Sequence, residues 1–223
     1  MEKLLPADIV TQIRDVFQQL KHPVQIMLFG TEKHCEYCSE IRQLLEEVTE
    51  ISDLITLSIH DVDKEPDLAK LYKVEGKAPA TIIAACEGDQ ITDFGIRYLG
   101  IPSGHEFTTL IQAILLVSGR DSGLTQQTRD YIKSLNKPLH LEVFVTPTCP
   151  YCPRAVVLAY QLAMENPQMV LAEGIEALEF NELSNHYMIS GVPDTVINAD
   201  AGRVVGAVPE QQMLAELMRS IGK

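Results

Sequence analysis

The chain has 223 residues, enough for one large domain or for two of about 110 residues each. Its apolar content of 46% and charged content of 22% are those of an ordinary globular protein. The net charge of −13 and the isoelectric point near 4.8 argue against nucleic acid or an anionic membrane surface as a partner.

The first 25 residues, MEKLLPADIVTQIRDVFQQLKHPVQ, distribute charges along an amphipathic pattern. They predict a helix at about Pro6–Leu20 and lack the apolar stretch of roughly 7–15 residues that a secretory signal needs. The sequence contains no apolar run of about 18 residues, so it predicts no membrane span. We therefore expect a cytoplasmic protein.

The rest of the first half alternates strand and helix patterns. An apolar strand is predicted first, and a helix with apolar residues at helical spacing follows it. A second strand, a short helix, two strands around a glycine-containing turn and a closing helix come next. These strands and helices are predicted at Val24–Phe29, Leu54–His60, Glu65–Tyr72, Thr81–Cys86, Ile91–Phe94 and His105–Leu116.

The second half repeats this order after the linker-like stretch SGRDSGL. Its elements are predicted at Gln126–Leu135, Leu139–Thr146, Met169–Ile175, Glu179–Tyr187, Thr195–Asn198, Arg203–Val205 and Pro209–Ile221. The sequence therefore predicts an α/β protein of two tandem units, residues 1–118 and 119–223, each a central mixed sheet flanked by helices. The first unit carries an additional segment, FGIRYLGIPSGHEF.

Two C-x-x-C motifs, CEYC and CPYC, support an internal duplication. They lie 114 residues apart, and a proline follows the second cysteine of each motif by 41 residues. A threonine, an isoleucine and a glycine recur at the same offset of 114. The matching pairs are Cys35 with Cys149, Cys38 with Cys152, Pro79 with Pro193, Thr81 with Thr195, Ile83 with Ile197 and Gly88 with Gly202.

A C-x-x-C motif at the start of a helix favours thiol chemistry. The helix dipole and the free N–H groups of the first turn stabilise the thiolate of the first cysteine, whose pKa falls from about 8.5 to roughly 3.5–7.5 in such motifs. The second cysteine is placed one turn further on, where it can attack a mixed disulfide. Cys149 and Cys152 form the motif without a charged neighbour, because Pro150 and Tyr151 lie between them.

In the other motif, Glu36 lies beside Cys35 and is expected to raise its thiol pKa, although a protonated His34 would oppose this. We therefore hypothesise that Cys149 is the more acidic thiol and that Cys149/Cys152 is the more oxidising couple.

These motifs resemble the thioredoxin superfamily over nearly the whole chain. Cys-Pro-Tyr-Cys is the glutaredoxin-type active-site sequence, and the segments APAT and VPDT are similar to the superfamily's cis-proline loop. The tandem arrangement, with GIPSGHEF, resembles the two-domain protein disulfide oxidoreductases of thermophiles, although 13 glutamines against 10 lysines are atypical of a hyperthermophile. It also resembles the N-terminal redox module of the alkyl hydroperoxide reductase flavoprotein, but the sequence has no G-x-G-x-x-G fingerprint.

The resemblance implies a role for each motif residue. Cys35 and Cys149 would attack, Cys38 and Cys152 would resolve, and Pro79 and Pro193 would be cis. Independently of the resemblance, the position of Tyr37 and Tyr151 inside the motifs indicates contact with substrate or packing against their own units. The chain would then exchange protein disulfides using only its redox-active cysteines, without a cofactor or a metal. Its partners would be protein disulfides or dithiols, a thioredoxin-reductase-like flavoenzyme or a peroxiredoxin.

Two departures from the family leave open questions. The buried acid that thioredoxin places six residues before its first cysteine is replaced by Phe29 and Val143, so Glu142 and His34 are the candidate proton acceptors. The Gly-Gly-x-x-Asp that glutaredoxins use for glutathione is absent, which argues against glutathione dependence.

Three other interpretations compete with a general disulfide oxidoreductase. The chain is alternatively a dedicated electron shuttle to a peroxidase, a module that binds structural zinc through four cysteines, or a fold stapled by two static disulfides. Zinc sites usually separate their C-x-x-C pairs by about 15–20 residues, far less than here, and a four-residue loop gives a staple little entropic benefit. The fifth cysteine, Cys86, is expected to be a buried apolar residue of a strand, and the six histidines are expected to be surface or capping groups.

Overall fold

A computed structural model describes residues 3–33 and 35–221. The first half contains α1 (Ala7–Phe17), β1 (Val24–Gly30), α2 (Cys38–Thr49), β2 (Ile55–Asp61), α3 (Pro66–Leu71), β3 (Ala80–Glu87), β4 (Gln90–Thr92), β5 (Ile96–Leu99) and α4 (Glu106–Gly119). The second half contains α5 (Gln126–Lys133), β6 (Leu139–Val145), α6 (Cys152–Glu165), β7 (Val170–Glu176), α7 (Asn181–His186), β8 (Asp194–Ile197), β9 (Gly202–Val205) and α8 (Glu210–Ile221). The predicted mixed α/β fold with helices around a central sheet is confirmed.

One strand was not predicted, and it joins the two halves. β5 lies in the additional segment FGIRYLGIPSGHEF and pairs in parallel with β7, from Ile96 beside Ala172 to Leu99 beside Ile175. The described strands consequently form one nine-stranded sheet in the order β2-β1-β3-β5-β7-β6-β8-β9, with β4 beside β3. The mixed sheets predicted for the two halves are therefore joined edge to edge into one sheet.

Strand direction places both C-x-x-C motifs at one edge of this sheet. β1 is antiparallel to β3, β3 is antiparallel to β5, and β5, β7 and β6 are mutually parallel, so β1 and β6 point the same way. The segments that follow β1 and β6 and those that precede β3 and β8 therefore meet at one edge, here called the cysteine edge. Three strands lie between β1 and β6, which separates their ends by about 19 Å at the usual strand spacing of about 4.8 Å.

The helices cover the sheet unequally. One hydrophobic core extends across both halves under α1, α2, α4, α5, α6 and α8, and it contains Cys149 and Cys152. A second core, under α3 and α7, covers the other face. Alternation along the strands assigns neighbours to opposite cores: Val143 belongs to the first and Phe144 to the second. None of the described helices combines the length and apolar composition of a membrane span.

Buried polar contacts reinforce the joint between β5 and β7. The hydroxyl of Tyr160, on α6, donates a hydrogen bond of 2.7 Å to the carbonyl oxygen of Arg97 on β5. The buried guanidinium of Arg97 donates to both carboxylate oxygens of Asp93. Lys77 forms an ion pair of 2.6 Å with Glu173 of β7. Polar contacts thus cross between the halves as well as within them.

The substitution Tyr160→Phe is expected to lower the free energy of unfolding by about 1 kcal/mol, because it removes a buried hydrogen bond between α6 and β5. The matched control is Tyr98→Phe, since the buried hydroxyl of Tyr98 has no hydrogen-bond partner among the described residues and its removal should cost almost nothing. Urea titration of the two variants measures both effects. Equal destabilisation by both would contradict this role of Tyr160.

Candidate active sites at the cysteine edge

The first C-x-x-C disulfide lies between the end of β1 and the start of α2. Cys35 and Cys38 are joined with a Cα–Cα distance of 5.5 Å, and Cys38 is the first residue of α2. Both cysteines are half-buried. The Sγ of Cys38 packs on Gly30, where an added Cβ would lie 3.2 Å from the sulfur. The predicted helix-start geometry is present, so the helix dipole acts on this centre.

The second disulfide, Cys149–Cys152, occupies the same position after β6 but is more buried. Cys152 is the first residue of α6 and has no exposed surface, and Cys149 is 7% exposed. The Sγ of Cys149 lies 3.7 Å from the carbonyl oxygen of Val192. Cys149 is consequently the sulfur of this pair that can be approached from outside.

The two prolines at offset 114 are cis in both halves. The Ala78–Pro79 and Val192–Pro193 bonds are cis, as the resemblance implied. Each proline carbonyl accepts a hydrogen bond at the cysteine edge, from Gly100 N to Pro79 at 2.9 Å and from Gly206 N to Pro193 at 2.8 Å. The contact of Cys149 with the Val192 carbonyl places the second cis loop directly against its disulfide.

The motif tyrosines differ in their surroundings. Tyr151 is 64% exposed beside the second disulfide, whereas Tyr37 is half-buried. A hydrogen bond with Glu36 and the charge of that carboxylate raise the pKa of Tyr37, and Glu179 and Glu176 of the second half add to the effect. The first centre therefore lies in a negative field to which both halves contribute.

A buried carboxyl group that the sequence did not indicate lies on α4, which packs against the helix of the second centre. Glu106, in the first turn of α4, has no exposed surface, and burial raises its pKa to about 7. Its Oε2 accepts a hydrogen bond of 2.8 Å from Thr109, while Oε1 has no partner among the described residues. The preceding residue, His105, donates its backbone N–H to Pro147, two residues before Cys149. α4 packs against α6, and the charge of Glu106 contributes to the raised pKa of Tyr160 on α6.

The two proton acceptors suggested by the sequence have different outcomes. Glu142 is on β6, and strand alternation directs it away from α6, to the face that holds Phe144. There its Oε2 accepts a hydrogen bond from the Tyr187 hydroxyl at 3.0 Å. The prediction for Glu142 is therefore wrong on geometric grounds. His34 lies outside the described residues.

Among the described residues, one group of side chains has metal-ligand spacing, and it contains no cysteine. His140, Glu142 and Glu173 offer atoms within 4.8 Å of one another. Burial raises the pKa of Glu173, but the hydrogen bond with His140 and the charge of Lys77 outweigh it and lower that pKa. The ammonium of Lys77 already occupies the place that a cation would take. His140 is thus a partly exposed member of this network.

The remaining cysteine is also less enclosed than expected. Cys86 is half-buried at the end of β3, and its Sγ lies 3.2 Å from the Gly88 carbonyl oxygen. The prediction of a fully buried apolar residue is wrong because β3 ends at a turn that leaves this position open.

Comparison with known proteins agrees with this geometry. The thioredoxin-domain family matches residues 139–219. The F subunit of alkyl hydroperoxide reductase in Staphylococcus epidermidis is 30% identical over 186 residues, which cover 83% of this chain and 32% of that protein. This chain therefore spans about a third of the length of the curated relatives it matches.

Two solved structures are similar over almost the full chain. The protein disulfide oxidoreductase of Aeropyrum pernix is 29% identical, with a TM-score of 0.86, and the match covers 98% of this chain and 94% of that one. The F subunit of alkyl hydroperoxide reductase in Enterococcus faecalis is 29% identical, with a TM-score of 0.85, and that match covers 96% of this chain and 99% of the other. The chain thus belongs to the thioredoxin superfamily, and within it to the thiol-disulfide oxidoreductases that carry two C-x-x-C motifs.

Proposed function

We propose that this chain is an electron shuttle that reduces the disulfide of a peroxidase and is itself reduced by a flavin-dependent reductase. The observation that carries the proposal is the match of the two-centre fold, over 83% of its sequence, to a subunit of alkyl hydroperoxide reductase. General exchange of protein disulfides is the second candidate, because the Aeropyrum pernix oxidoreductase has the same fold. The shuttle would act in the cytoplasm and would carry electrons on its cysteines alone.

In the proposed reaction, the Cys149 thiolate attacks one sulfur of the partner's disulfide and forms a mixed disulfide. The partner's other sulfur leaves as a thiolate and takes up a proton. Cys152 then loses its proton and attacks the Cys149 sulfur, which releases the second partner thiol. Two electrons and two protons pass to the partner, and Cys149–Cys152 returns to the disulfide form present in this structure. Cys35 and Cys38 would act in the same way at the first centre.

Glu106 is the proposed proton acceptor for Cys152. A buried thiol ionises poorly, so its attack needs a base close by. Glu106 lies in the helix that packs on α6, and its pKa of about 7 suits proton transfer near neutral pH. Its unpartnered Oε1 is available to accept the proton.

The motif tyrosines and the cis prolines would line the partner's path to each disulfide. Tyr151 is exposed beside Cys149, and the cis loop of Pro193 lies on the other side of that sulfur through Val192. Because the two centres are about 19 Å apart, electrons would pass between them through a partner.

The variant Cys152→Ser is expected to hold a mixed disulfide on Cys149, because the resolving thiol is missing. Non-reducing electrophoresis and mass spectrometry of the captured protein then identify the partner, with Cys149→Ser/Cys152→Ser as the control. Capture of a peroxidase supports the shuttle, whereas a broad set of unrelated proteins supports general disulfide exchange. No adduct with either class would contradict both functions.

The variant Glu106→Gln is expected to slow resolution of the mixed disulfide by about 100-fold, within the range typical of general acid–base catalysis. In the wild type this step should accelerate as the pH rises through about 7, because Glu106 accepts a proton only when ionised. Stopped-flow measurements across about pH 5–9 record both the rate of resolution and its dependence on pH. Glu142→Gln, on the other face, is the control and should keep the wild-type profile. An unchanged rate and pH profile in Glu106→Gln would exclude this role.

The Cys149/Cys152 couple is expected to have the higher reduction potential, by about 30–60 mV, because Glu36 opposes the Cys35 thiolate and no charge in CPYC opposes Cys149. Burial of Cys149 acts in the opposite direction, and the helix start is common to both centres, so the expected difference rests on Glu36. Redox titration of two variants that each retain one cysteine pair measures the difference. Glu36→Gln should raise the potential of the first couple alone. A lower potential for Cys149/Cys152 would refute the hypothesis.

A further inference from the structure

An acidic cleft lies between the two disulfide centres. It has a volume of about 360 Å³ and is formed at the ends of β5 and β7, the two strands at the middle of the sheet. Tyr37, inside the first C-x-x-C motif, lines one side, and Pro147, two residues before Cys149, lines the other. A molecule bound in this cleft would therefore be next to both redox centres.

Three carboxylates line the cleft, and none of them forms an ion pair with a described residue: Glu36, Glu176 and Glu179. Glu176 is only 2% exposed. Its Oε2 accepts the N–H groups of Leu178 and Glu179, but its Oε1 is buried without a described hydrogen-bond partner. A buried carboxylate oxygen without a donor is costly, and a bound donor would remove that cost.

The backbone that follows β5 packs closely against two of these carboxylates, Glu176 and Glu179. Gly100 follows β5 with a φ of +97°, and an added Cβ would lie 2.7 Å from both Glu176 Cβ and Glu179 Oε1. The next amide, Ile101 N, donates to Glu179 Oε1 at 2.6 Å. The first half thus holds the acidic groups of the second half in place at the cleft.

The shape and lining of the cleft favour a long basic side chain over a metal ion. Among the described residues, the carboxylates of the cleft do not converge to metal-ligand spacing. Ile101, Pro147 and the exposed Leu178 supply apolar surface beside the acidic groups. The aliphatic stem of arginine or lysine packs on such a surface while its charged head reaches carboxylates. The net charge of −13 would also attract a basic segment.

We infer that the cleft binds an arginine or lysine side chain near the reactive disulfide of the partner protein. This inference rests on the proposed disulfide exchange and adds the feature by which the partner is selected. The basic residue anchors the partner between the centres and leaves its disulfide free to reach Cys149.

The test uses pairs of disulfide peptides that differ only in having arginine or citrulline at one position within about four residues of a cysteine. Citrulline keeps the shape of arginine but removes its charge. The arginine peptide of the best pair is expected to have a kcat/KM about tenfold higher, since hydrogen bonds between charged groups are strong. Glu176→Gln and Glu179→Gln should each reduce this preference to about twofold or less. Asp89→Asn, which removes an exposed charge from the β3–β4 turn, should leave it unchanged.

Binding of the same peptides with alanine in place of cysteine, measured by fluorescence anisotropy, separates the inference from the proposed function. A tighter Kd for the arginine peptide without any exchange would support the cleft and contradict the function. Exchange of both peptides at equal rates with equal Kd values would support the function and overturn the cleft. Because Glu179 is half-buried, Glu179→Gln alone decides the outcome if Glu176→Gln fails to fold.

Discussion

The parallel pairing of β5 with β7 is the constraint on which the rest of the structure depends. It merges two repeats into one sheet, gives β1 and β6 a common direction, and so brings both disulfides to the same edge. A Cβ at position 174 of β7 would lie 2.9–3.1 Å from side-chain atoms of Val156, Tyr98 and Tyr160, so those side chains would have to shift to admit it. Gly174 therefore lets α6 approach the joint closely enough for Tyr160 to bond β5.

The same joint makes two similar motifs chemically unequal. The first centre is half-buried and faces Glu36 together with carboxylates from the second half. The second centre is enclosed in the apolar core, and the helix that packs on α6 carries a buried acid, Glu106, whose pKa is raised by burial. Both have the same helix start and the same cis-proline loop, so the difference comes from Glu36 in the first motif and from what the other half contributes. The two centres thus have a different dielectric and a different neighbouring charge.

Local patterns explain why most of the fold could be predicted from the sequence. The repeat of residues at an offset of 114 and the fixed interval from cysteine to proline identified both centres and both cis loops. β5 was missed because IRYL is only four residues long, lies between two glycines, and is buried on both faces, so it has no alternation. The burial of Glu106 and Glu176 and the contact between Ile101 and Glu179 depend on segments that are distant in the chain, which no local pattern records. The face of Glu142 follows from its neighbour Val143, which belongs to the first core.

The sheet is hydrogen-bonded without interruption from β2 to β9, and it therefore fixes the distance between the two disulfides. The interval between the two disulfides is set by the number of strands between β1 and β6, and neither disulfide can approach the other while those strands stay paired. A partner that reacts with both disulfides would therefore itself have to move from one to the other. A partner domain joined by a linker shorter than this distance would reach only one of the two disulfides. The length of the linker would therefore decide which disulfide the partner uses.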